Sequence, residues 1–491
     1  MNIFLLFTSG IMAVIPLYFA DYFFLSWIAI IPAIFALTNS DFMDSFYKGW
    51  FLGLIIVSGT GYWLFYPMKL FTSLPIVLII PALILLFSGI ALFYGLWGLI
   101  ISKIGIGPFR IAFSWTALEF LRYKIISAFP LGYIGYSQMD FKVILQWAEL
   151  GGVFIISFFI LLINGYLYYL LKHKKIRYLV AVVIIMLILV SFGGFKLNYY
   201  NNYLQNETTD RQEIGLTQTT VPQIIKWNNS EINNNIEKIF KDNKIMKKND
   251  IKLVITPETG LTFDITRNEY YRDKILKKIK EGKSYYQVGS QSIIKKPGEV
   301  YNSSFLFSPE GKIIDRYNKN RLVVFGEVIP FNSLVNQLAG MGLSSINKGT
   351  KRSKFSTSFA SWNNMICSEL LYPLPDKEIK EIDFIVNQSN EAWFKSGLPR
   401  LMWAAAVFRA VENRRSVIKT GNLSYSGVIL PSGKTLVKKP VNNNQPIISS
   451  IPFSDKETFF NSRYHLTGHL TVFFLFLLLM LSYFVNYKDK D

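Results

Sequence analysis

The chain has a single cysteine, Cys367, whose thiol could act as a nucleophile. Residues 355–366, just before it, are rich in β-branched and aromatic side chains and predict a strand. Residues 368–373 predict a turn with a short helical start. A strand holds a thiol at its end rigidly, and the thiol can then face a cleft. The alternative is a buried cysteine that serves as a small hydrophobe, as most free cysteines do.

A cysteine nucleophile needs a base, because the pKa of a free thiol is about 8.5. Histidine is the usual base, but the three histidines, His173, His465 and His469, lie in or beside predicted membrane segments. The sequence therefore disfavours a Cys–His pair and a histidine zinc site, and one cysteine cannot build a multi-thiolate site. We expect no metal and no cofactor. The base should be a carboxylate, supported by a lysine or arginine that stabilises the developing charge.

Three segments offer such groups in a suitable local context. An apolar stretch at 252–257 ends in Glu258, and its neighbours can desolvate the carboxylate and raise its pKa toward that of a working base. Lys319 directly follows a predicted strand, and Glu327 lies in a loop, 325–331, that contains glycine and proline. Each residue taken alone is more often a solvated surface residue, because glutamate and lysine are seldom buried.

The elements that would position these residues fall into two kinds. The chain is 491 residues long, with 51% hydrophobic residues and a mean hydropathy of +0.28. Residues 1–102 carry only five charged side chains, whereas a soluble domain would be about one quarter charged. We predict about eight membrane-spanning helices, because each stretch approaches the roughly 20 residues that cross a bilayer. They lie at 3–19, 22–38, 49–67, 75–102, 110–127, 144–171, 178–196 and 467–487.

Basic loops predict the orientation of these helices. The loop at 172–177 and the C-terminal tail are rich in lysine and arginine, which favours the cytoplasmic side. The long segment at about 197–466 then lies on the periplasmic, outer face of a bacterial inner membrane. The net charge of +19 suits anionic phospholipid surfaces. Nucleic acid is not expected, because the lysines form no compact basic block.

Within the fifth span, Glu119 and Arg122 are three residues apart and share a helix face. The pattern fits either an ion pair near the outer interface or contact with a lipid headgroup. The loop that follows, 129–138, could shape an entrance from the bilayer.

The segment after the seventh span changes character, since short apolar runs alternate there with polar ones. Ten candidate strands and three candidate helices, at 230–243, 269–281 and 399–414, predict an α/β domain with helices covering a sheet. We therefore predict a helical bundle at 1–200, a catalytic domain at 201–462, and a last transmembrane helix with a cytoplasmic tail at 463–491.

Four motifs give these residues a family context. They are T-P-E-T-G at 256–260, Y-N-K-N-R-L-V-V-F-G-E at 317–327, C-S-E-L-L-Y-P at 367–373 and Q-S-N-E-A-W-F at 388–394. Together they resemble the apolipoprotein N-acyltransferase family of the nitrilase superfamily. The similarity covers essentially the whole chain, including 115–122, 129–138 and 217–227.

The resemblance implies a membrane α-helical bundle that carries an extramembrane, nitrilase-like α-β-β-α sandwich domain. It implies a catalytic triad of Glu258, Lys319 and Cys367. Cys367 would take an acyl chain from a phospholipid, which we expect to be phosphatidylethanolamine. The thioester would then pass the chain to the N-terminal diacylglyceryl-cysteine of an apolipoprotein.

Further positions carry over from the family. Glu327 matches a second essential carboxylate, and Glu369 and Trp227 match residues that shape the site. Asn390 and Trp393 lie in the S-N-E-A-W-F segment, where they would contact substrate; plain core packing is the alternative for both tryptophans. Ser368 stands where many members have tyrosine. Its backbone N–H can still stabilise an oxyanion, but any contact made by a tyrosine ring is lost.

Two other functions fit parts of the sequence. The first is a membrane-tethered amidase that uses the same triad on a small C–N substrate, with water in place of the amine. The second is a non-catalytic lipoprotein-binding scaffold. Seven spans before the domain argue against a mere tether, and the intact triad argues against a scaffold. Glycine and serine at 340–354 predict a mobile flap over the cleft.

Overall fold

The computed structural model describes residues 2–72, 74–126, 130–205, 210–293, 299–324, 326–328, 346–351, 353–374, 376–394, 397–463 and 465–488. The chain forms two compact units, one of residues 1–70, 74–200 and 458–491, and one of residues 71–73 and 201–457. Residues 340–345 and 352 of the predicted flap, and residues 325 and 329–331 of the loop that carries Glu327, lie outside the described residues.

The first unit is helical. Six helical segments of the described chain are long and apolar enough to cross a bilayer: Ala20–Leu37, Phe42–Leu70, Ile76–Ile104, Ala148–His173, Ile176–Gln205 and Leu466–Phe484. Shorter helices lie at Asn2–Tyr18, Pro108–Ile125, Lys142–Leu145 and Phe459–Ser462. Within and between these segments, 3₁₀ turns lie at Ala20–Trp27, Tyr62–Leu64 and Ile134–Gln138.

Every predicted span coincides with helical structure, but not every one meets the criteria for crossing a membrane. Asn2–Tyr18 is apolar and has 17 residues. Pro108–Ile125 carries four charged residues, which lowers its hydropathy. The second span is composite, because a 3₁₀ segment precedes a short helix, Ile31–Leu37, whose second residue is a proline.

Glu119 and Arg122 are buried inside this unit and bind its own backbone. Glu119 Oε1 accepts hydrogen bonds from the Trp115 indole (3.1 Å) and the Ile134 amide (3.0 Å). Arg122 Nη2 donates to the Leu131 carbonyl at 3.1 Å. Both side chains therefore hold the chain at 131–134 in place, a role that neither alternative from the sequence included.

The second unit contains two β-sheets. The strands are β1 Arg211–Leu216, β2 Leu253–Ile255, β3 Leu261–Asp264, β4 Tyr285–Ile293, β5 Val300–Phe307, β6 Ile313–Asn318, β7 Lys354–Ser356, β8 Ser361–Ile366, β9 Phe384–Asn390, β10 Ser416–Asn422, β11 Ser426–Ile429, β12 Thr435–Lys439 and β13 Ile447–Pro452. The first sheet has the order β13-β1-β2-β4-β5-β6, with β3 paired to β4, and the second has the order β12-β11-β10-β9-β8-β7. The helices are Gln223–Lys226, Ile232–Phe240, Asn243–Lys248, Glu269–Gly282, Asp376–Ile379 and Leu398–Asn413, with 3₁₀ turns at Asn229–Glu231 and Cys367–Leu371.

The sheets pack face to face, with helices outside. The inner layer joins side chains of both sheets, among them Leu253 and Ile255 of β2 with Trp362 and Ile366 of β8. A second apolar cluster packs helices Ile232–Phe240 and Glu269–Gly282 onto the other face of the first sheet, and Leu398–Asn413 covers the second sheet. Continuous apolar runs such as Leu253–Ile255 explain this arrangement, because a strand buried on both faces needs apolar side chains on both. The predicted α-β-β-α sandwich is confirmed.

The prediction of one continuous strand at 355–366 is wrong, because the structure has two strands there. Two antiparallel strands, β7 and β8, occupy this stretch and are joined by a turn in which Thr357 and Ala360 exchange hydrogen bonds. The polar residues Ser356–Ser358 break the apolar run and permit the turn. The sequence does not predict strands β3 and β12, because each has few apolar residues.

Candidate active site

The strands bring three predicted residues to strand ends. β2 runs parallel to β4, and β4 and β6 are both antiparallel to β5, so β2 and β6 end at the same edge of the first sheet. Glu258 follows β2 and Lys319 follows β6. Cys367 directly follows β8 in the second sheet.

Polar side chains fix the two sheets to each other near these ends. Gln388 of β9 donates to the Thr256 carbonyl at 2.6 Å, which ties β9 to the chain just before Glu258. Gln287 of β4 contacts Gln388 at 2.9 Å and accepts a 2.7 Å hydrogen bond from the Trp362 indole. These buried bonds set the position of β8, and therefore of Cys367, against β2.

The turn that carries Glu258 packs directly on β4. Residue 289 is a glycine, and a Cβ there would lie 2.4 Å from the Pro257 carbonyl and 2.9 Å from the Glu258 Cα. Any side chain at this position would push the turn away. Gly289 therefore sets the depth of Glu258 in the site.

Lys319 lies between two carboxylates. Its Nζ is 3.8 Å from Glu258 Oε1, and 2.9 Å and 2.8 Å from the two carboxylate oxygens of Glu327. Asn302 of β5 donates to both glutamates, at 2.7 Å to Glu258 and 3.1 Å to Glu327. Burial opposes the charge on Lys319, but Glu327 and Glu258 raise its pKa above the ordinary lysine value. The lysine is therefore a fixed cation and not a base.

Glu258 has the properties of a general base. Burial raises its pKa, although Lys319 opposes the shift. Its second oxygen, Oε2, is buried and has no hydrogen-bond partner among the described residues. An acceptor without a partner in such a place is available for a proton from a thiol or an amine.

Cys367 begins a 3₁₀ turn in a left-handed backbone conformation, with φ +52°. A non-glycine residue adopts this region only under constraint, and such residues cluster at functional sites. Burial and the nearby Glu258 raise the pKa of the thiol to about 12, against the effect of Lys319. The resting thiol is therefore protonated, so its proton must leave as it attacks. Glu258 and Lys319 are thus both close enough to act electrostatically on the Cys367 thiol. A buried carboxylate and a buried lysine beside a thiol suit acyl transfer through a covalent intermediate.

Comparison with known proteins finds two matching family domains and several similar proteins. Residues 9–166 match the apolipoprotein N-acyltransferase N-terminal domain, and residues 214–457 match the carbon-nitrogen hydrolase domain. The apolipoprotein N-acyltransferase of Geobacter metallireducens is 26% identical over 464 residues, covering 89% of this chain and 87% of that protein. The apolipoprotein N-acyltransferase of Wigglesworthia glossinidia brevipalpis is 28% identical over 492 residues, covering 94% of each.

This chain belongs to the apolipoprotein N-acyltransferase family. Among solved structures, an amidase from Nesterenkonia sp. is similar to it, with 14% identity and a TM-score of 0.38, covering 50% of this chain and 91% of that one.

In this acyltransferase, Glu369 organises the backbone on both sides of the site. Its Oε1 accepts from the Tyr317 hydroxyl (2.8 Å) and from the amides of Asn320 (2.8 Å) and Arg321 (3.0 Å). Its Oε2 accepts from the Ile366 amide at 2.8 Å. One carboxylate thus holds the residues after Lys319 and the residue before Cys367.

Replacing Glu369 with alanine should destabilise the α/β unit by about 3–5 kcal/mol, because it leaves a set of buried donors without an acceptor. Thermal unfolding, followed by circular dichroism, measures the change. Glu237→Ala is the control, since Glu237 is exposed and ion-paired with lysines on a helix surface. Equal unfolding midpoints for the two variants would contradict the role assigned to Glu369.

A lysine that the sequence did not single out lies beside the base. Lys226 is buried, and its Nζ donates to the Glu258 carbonyl at 3.1 Å and to the Thr259 hydroxyl at 2.9 Å. Burial lowers its pKa to about 7, and the negative charge of Glu258 opposes the shift. A neutral amine has two hydrogens, which match these two acceptors. Lys226 therefore anchors the turn that carries Glu258.

This lowered pKa predicts how stability depends on pH. Between about pH 7 and pH 10 the unfolded chain holds a proton on Lys226 that the folded chain has lost, so the free energy of unfolding should rise with pH. The slope from this group is at most about 1.4 kcal/mol per pH unit. Unfolding midpoints measured across this range should rise less steeply in Lys226→Met. An unchanged slope would show that Lys226 stays charged in the fold.

The remaining predicted residues lie around this site with different surroundings. Asn390 is buried, and its amide nitrogen donates to Gln223 while its amide oxygen accepts from Asn422, each at 2.9 Å. Both polar atoms of the side chain therefore already have protein partners. Trp227 is 38% exposed and follows the helix that carries Lys226. Ser368 and Trp393 are half-buried. These positions suit Trp227 for substrate contact, and they give Asn390 the role of tying β9 to the chain at 221–223.

Proposed function

We propose that this chain transfers an acyl chain from a phospholipid to the N-terminal amine of lipoproteins through a Cys367 thioester. The observation that carries the proposal is Lys319, which is buried between Glu258 and Glu327 at the sheet edge and acts electrostatically on the only cysteine. The match at 9–166 favours acyl transfer over a tethered amidase, because it identifies the helical unit with acyltransferases.

In the first half-reaction, Glu258 takes the thiol proton while Cys367 attacks the carbonyl carbon of a phospholipid ester. Lys319 and the backbone N–H of Ser368 stabilise the oxyanion of the tetrahedral intermediate. The C–O bond then breaks, and the lysophospholipid oxygen takes the proton back from Glu258. A thioester remains on Cys367.

In the second half-reaction, the α-amine of a diacylglyceryl-cysteine attacks the thioester carbonyl. Glu258 accepts a proton from the amine, and the same donors stabilise the new oxyanion. The C–S bond breaks, Cys367 recovers the proton, and an amide-linked acyl chain leaves with the lipoprotein. One base, Glu258, serves both halves, and its Oε2 has no hydrogen-bond partner within the described part of the chain.

Lipid substrates explain the helical unit, since six of its segments can cross a bilayer and both substrates are anchored in one. Phosphatidylethanolamine is the donor that we propose. The basic loop at 172–177 supports an orientation that leaves the α/β unit on the periplasmic face of the bacterial membrane.

Intact mass spectrometry of protein purified from membranes tests the thioester. We expect a fraction of the molecules to carry the mass of one acyl chain, and hydroxylamine should remove it. Incubation with phosphatidylethanolamine of defined chain length should shift that mass to match the donor. An adduct that survives in Cys367→Ala, or acyl transfer by that variant, would exclude the mechanism.

A further inference from the structure

A buried ion pair lies next to Cys367 and has no part in the mechanism above. Ser389, at the end of β9, has its hydroxyl 3.7 Å from the Cys367 sulfur and 3.0 Å from Glu391 Oε1. The same Glu391 oxygen contacts Lys419 Nζ at 2.6 Å, and Lys419 also contacts the Ser424 hydroxyl at 2.5 Å. The side chains of Glu391 and Lys419 are fully inaccessible to solvent. The residues form a continuous chain of polar contacts from Lys419 to the sulfur.

An ion pair in this place needs an explanation. Removing two charges from water costs several kcal/mol per ion, and apolar residues of similar volume often serve stability as well or better. The cost here is increased because Glu391 Oε2 is buried with no hydrogen-bond partner among the described residues. Stability of the fold alone therefore does not account for Glu391 and Lys419.

The Ser389 hydroxyl has one hydrogen and two neighbouring acceptors. A carboxylate that is ion-paired to Lys419 can only accept, so in the resting enzyme the hydrogen points to Glu391. The sulfur is a poor acceptor while it is protonated, so it does not compete for this hydrogen. Once Glu258 has taken the thiol proton, the sulfur is an anion, and rotation of the hydroxyl lets Ser389 donate to it.

We infer that Ser389 is a hydrogen-bond donor to the Cys367 thiolate, and that the Glu391–Lys419 pair is a positioning device that holds its hydroxyl beside the sulfur. This inference rests on the proposed function, because it assumes that Cys367 attacks as a thiolate. It adds a donor from β9 to the charged groups that already act on the sulfur, which are Glu258, Lys319, Glu327 and Glu391. The ionisable Lys226 also lies close to the sulfur.

The test uses the reactivity of the thiol and needs no lipid substrate. Because Cys367 is the only cysteine, the rate of alkylation of the full-length protein by iodoacetamide reports on this sulfur alone. A hydrogen bond to an anion that is lost in Ser389→Ala should lower the rate constant about tenfold at each pH between 7 and 9. Ser284→Ala is the matched control, since Ser284 is a buried serine whose hydroxyl donates to the Ile251 carbonyl.

A double-mutant cycle tests the ion pair. Replacing both members, as Glu391→Gln with Lys419→Gln, avoids an unpaired buried charge and should slow alkylation about threefold in the presence of Ser389. The same pair of changes should have no further effect once Ser389 is alanine. Additive effects in the cycle would overturn the positioning role.

The outcomes separate this inference from the proposed function. An alkylation rate in Ser389→Ala equal to that of the parent would overturn the donor role, even where Cys367→Ala is inactive in acyl transfer. Acyl transfer by Cys367→Ala would overturn the function itself, whatever the alkylation rates. A slower alkylation in Ser389→Ala, with unchanged Ser284→Ala, supports the donor role because truncating a serine opens space and does not hinder the reagent.

Discussion

Cys367→Ala is expected to abolish acyl transfer, with a loss of at least about 10⁴-fold, because no covalent intermediate can form without the sulfur. Only the oxyanion donors and substrate binding would remain, and neither supplies a nucleophile. The measurement is acylation of a diacylglyceryl peptide by purified protein in phospholipid micelles, read by mass spectrometry. Cys367→Ser should be almost as inactive, since an alkoxide is far harder to form than a thiolate.

The fold should survive this change. The Cys367 side chain is half-buried and its truncation removes one atom, while alanine adopts the left-handed φ of +52° at a similar cost. We expect the unfolding midpoint to stay within a few degrees of the parent. A Cys367→Ala protein that folds and still transfers acyl chains would show that another nucleophile acts, or that the two substrates react directly.

The main parts of the site could be predicted because they follow strand ends. An apolar run that stops at a glutamate, a lysine or a cysteine is visible in the sequence, and the absence of histidine from the domain limits the choice of base. The helical unit was predictable for a similar reason, since an apolar segment of about 20 residues is long enough to cross a bilayer as a helix. Residue type and position along a strand therefore made Glu258, Lys319 and Cys367 candidates, and the family motifs around them were needed to select them as a triad.

The supporting residues could not be predicted in this way, because their roles come from contacts between distant segments. Asn302 lies inside β5, and only the approach of Glu258 and Glu327 makes it a bridge. In the sequence Lys226 resembles a surface lysine, and only the structure shows its contacts with the turn at 258–259. Lys419 interrupts an apolar strand, which indicates that it has a buried partner but does not show which residue that partner is. Folding, and not local pattern, determines these pairs.

Lys319→Met is expected to have the second largest effect, a loss of about 10³-fold or more in acyl transfer. In the proposed mechanism the lysine is the cation that stabilises the oxyanion, and removal of one such donor typically costs 10²–10³-fold. A second effect of the substitution should lower acyl-transfer activity further. Lys319 lowers the pKa of Glu258 and Glu327 raises it, so without the cation this pKa rises further and a smaller fraction of Glu258 is ionised and able to accept the thiol proton.

The same change should make stability depend on pH in a characteristic direction. In Lys319→Met the pKa of Glu258 rises further above its unfolded value, so the folded state is favoured at low pH and loses stability as pH rises through the folded pKa. Unfolding midpoints measured from pH 5 to 8 should fall in the variant. Lys252→Met is the control, because Lys252 is an exposed lysine paired with Asp250, and its midpoints should follow those of the parent.

A double variant separates catalysis from folding. Glu327→Gln added to Lys319→Met removes one of the two facing carboxylates, so stability at neutral pH should return toward that of the parent. Activity should not return, because the oxyanion still lacks its cation. Recovery of both properties would mean that Lys319 serves only to neutralise Glu327. Recovery of stability alone would show that acyl transfer itself requires Lys319, beyond its role in neutralising Glu327.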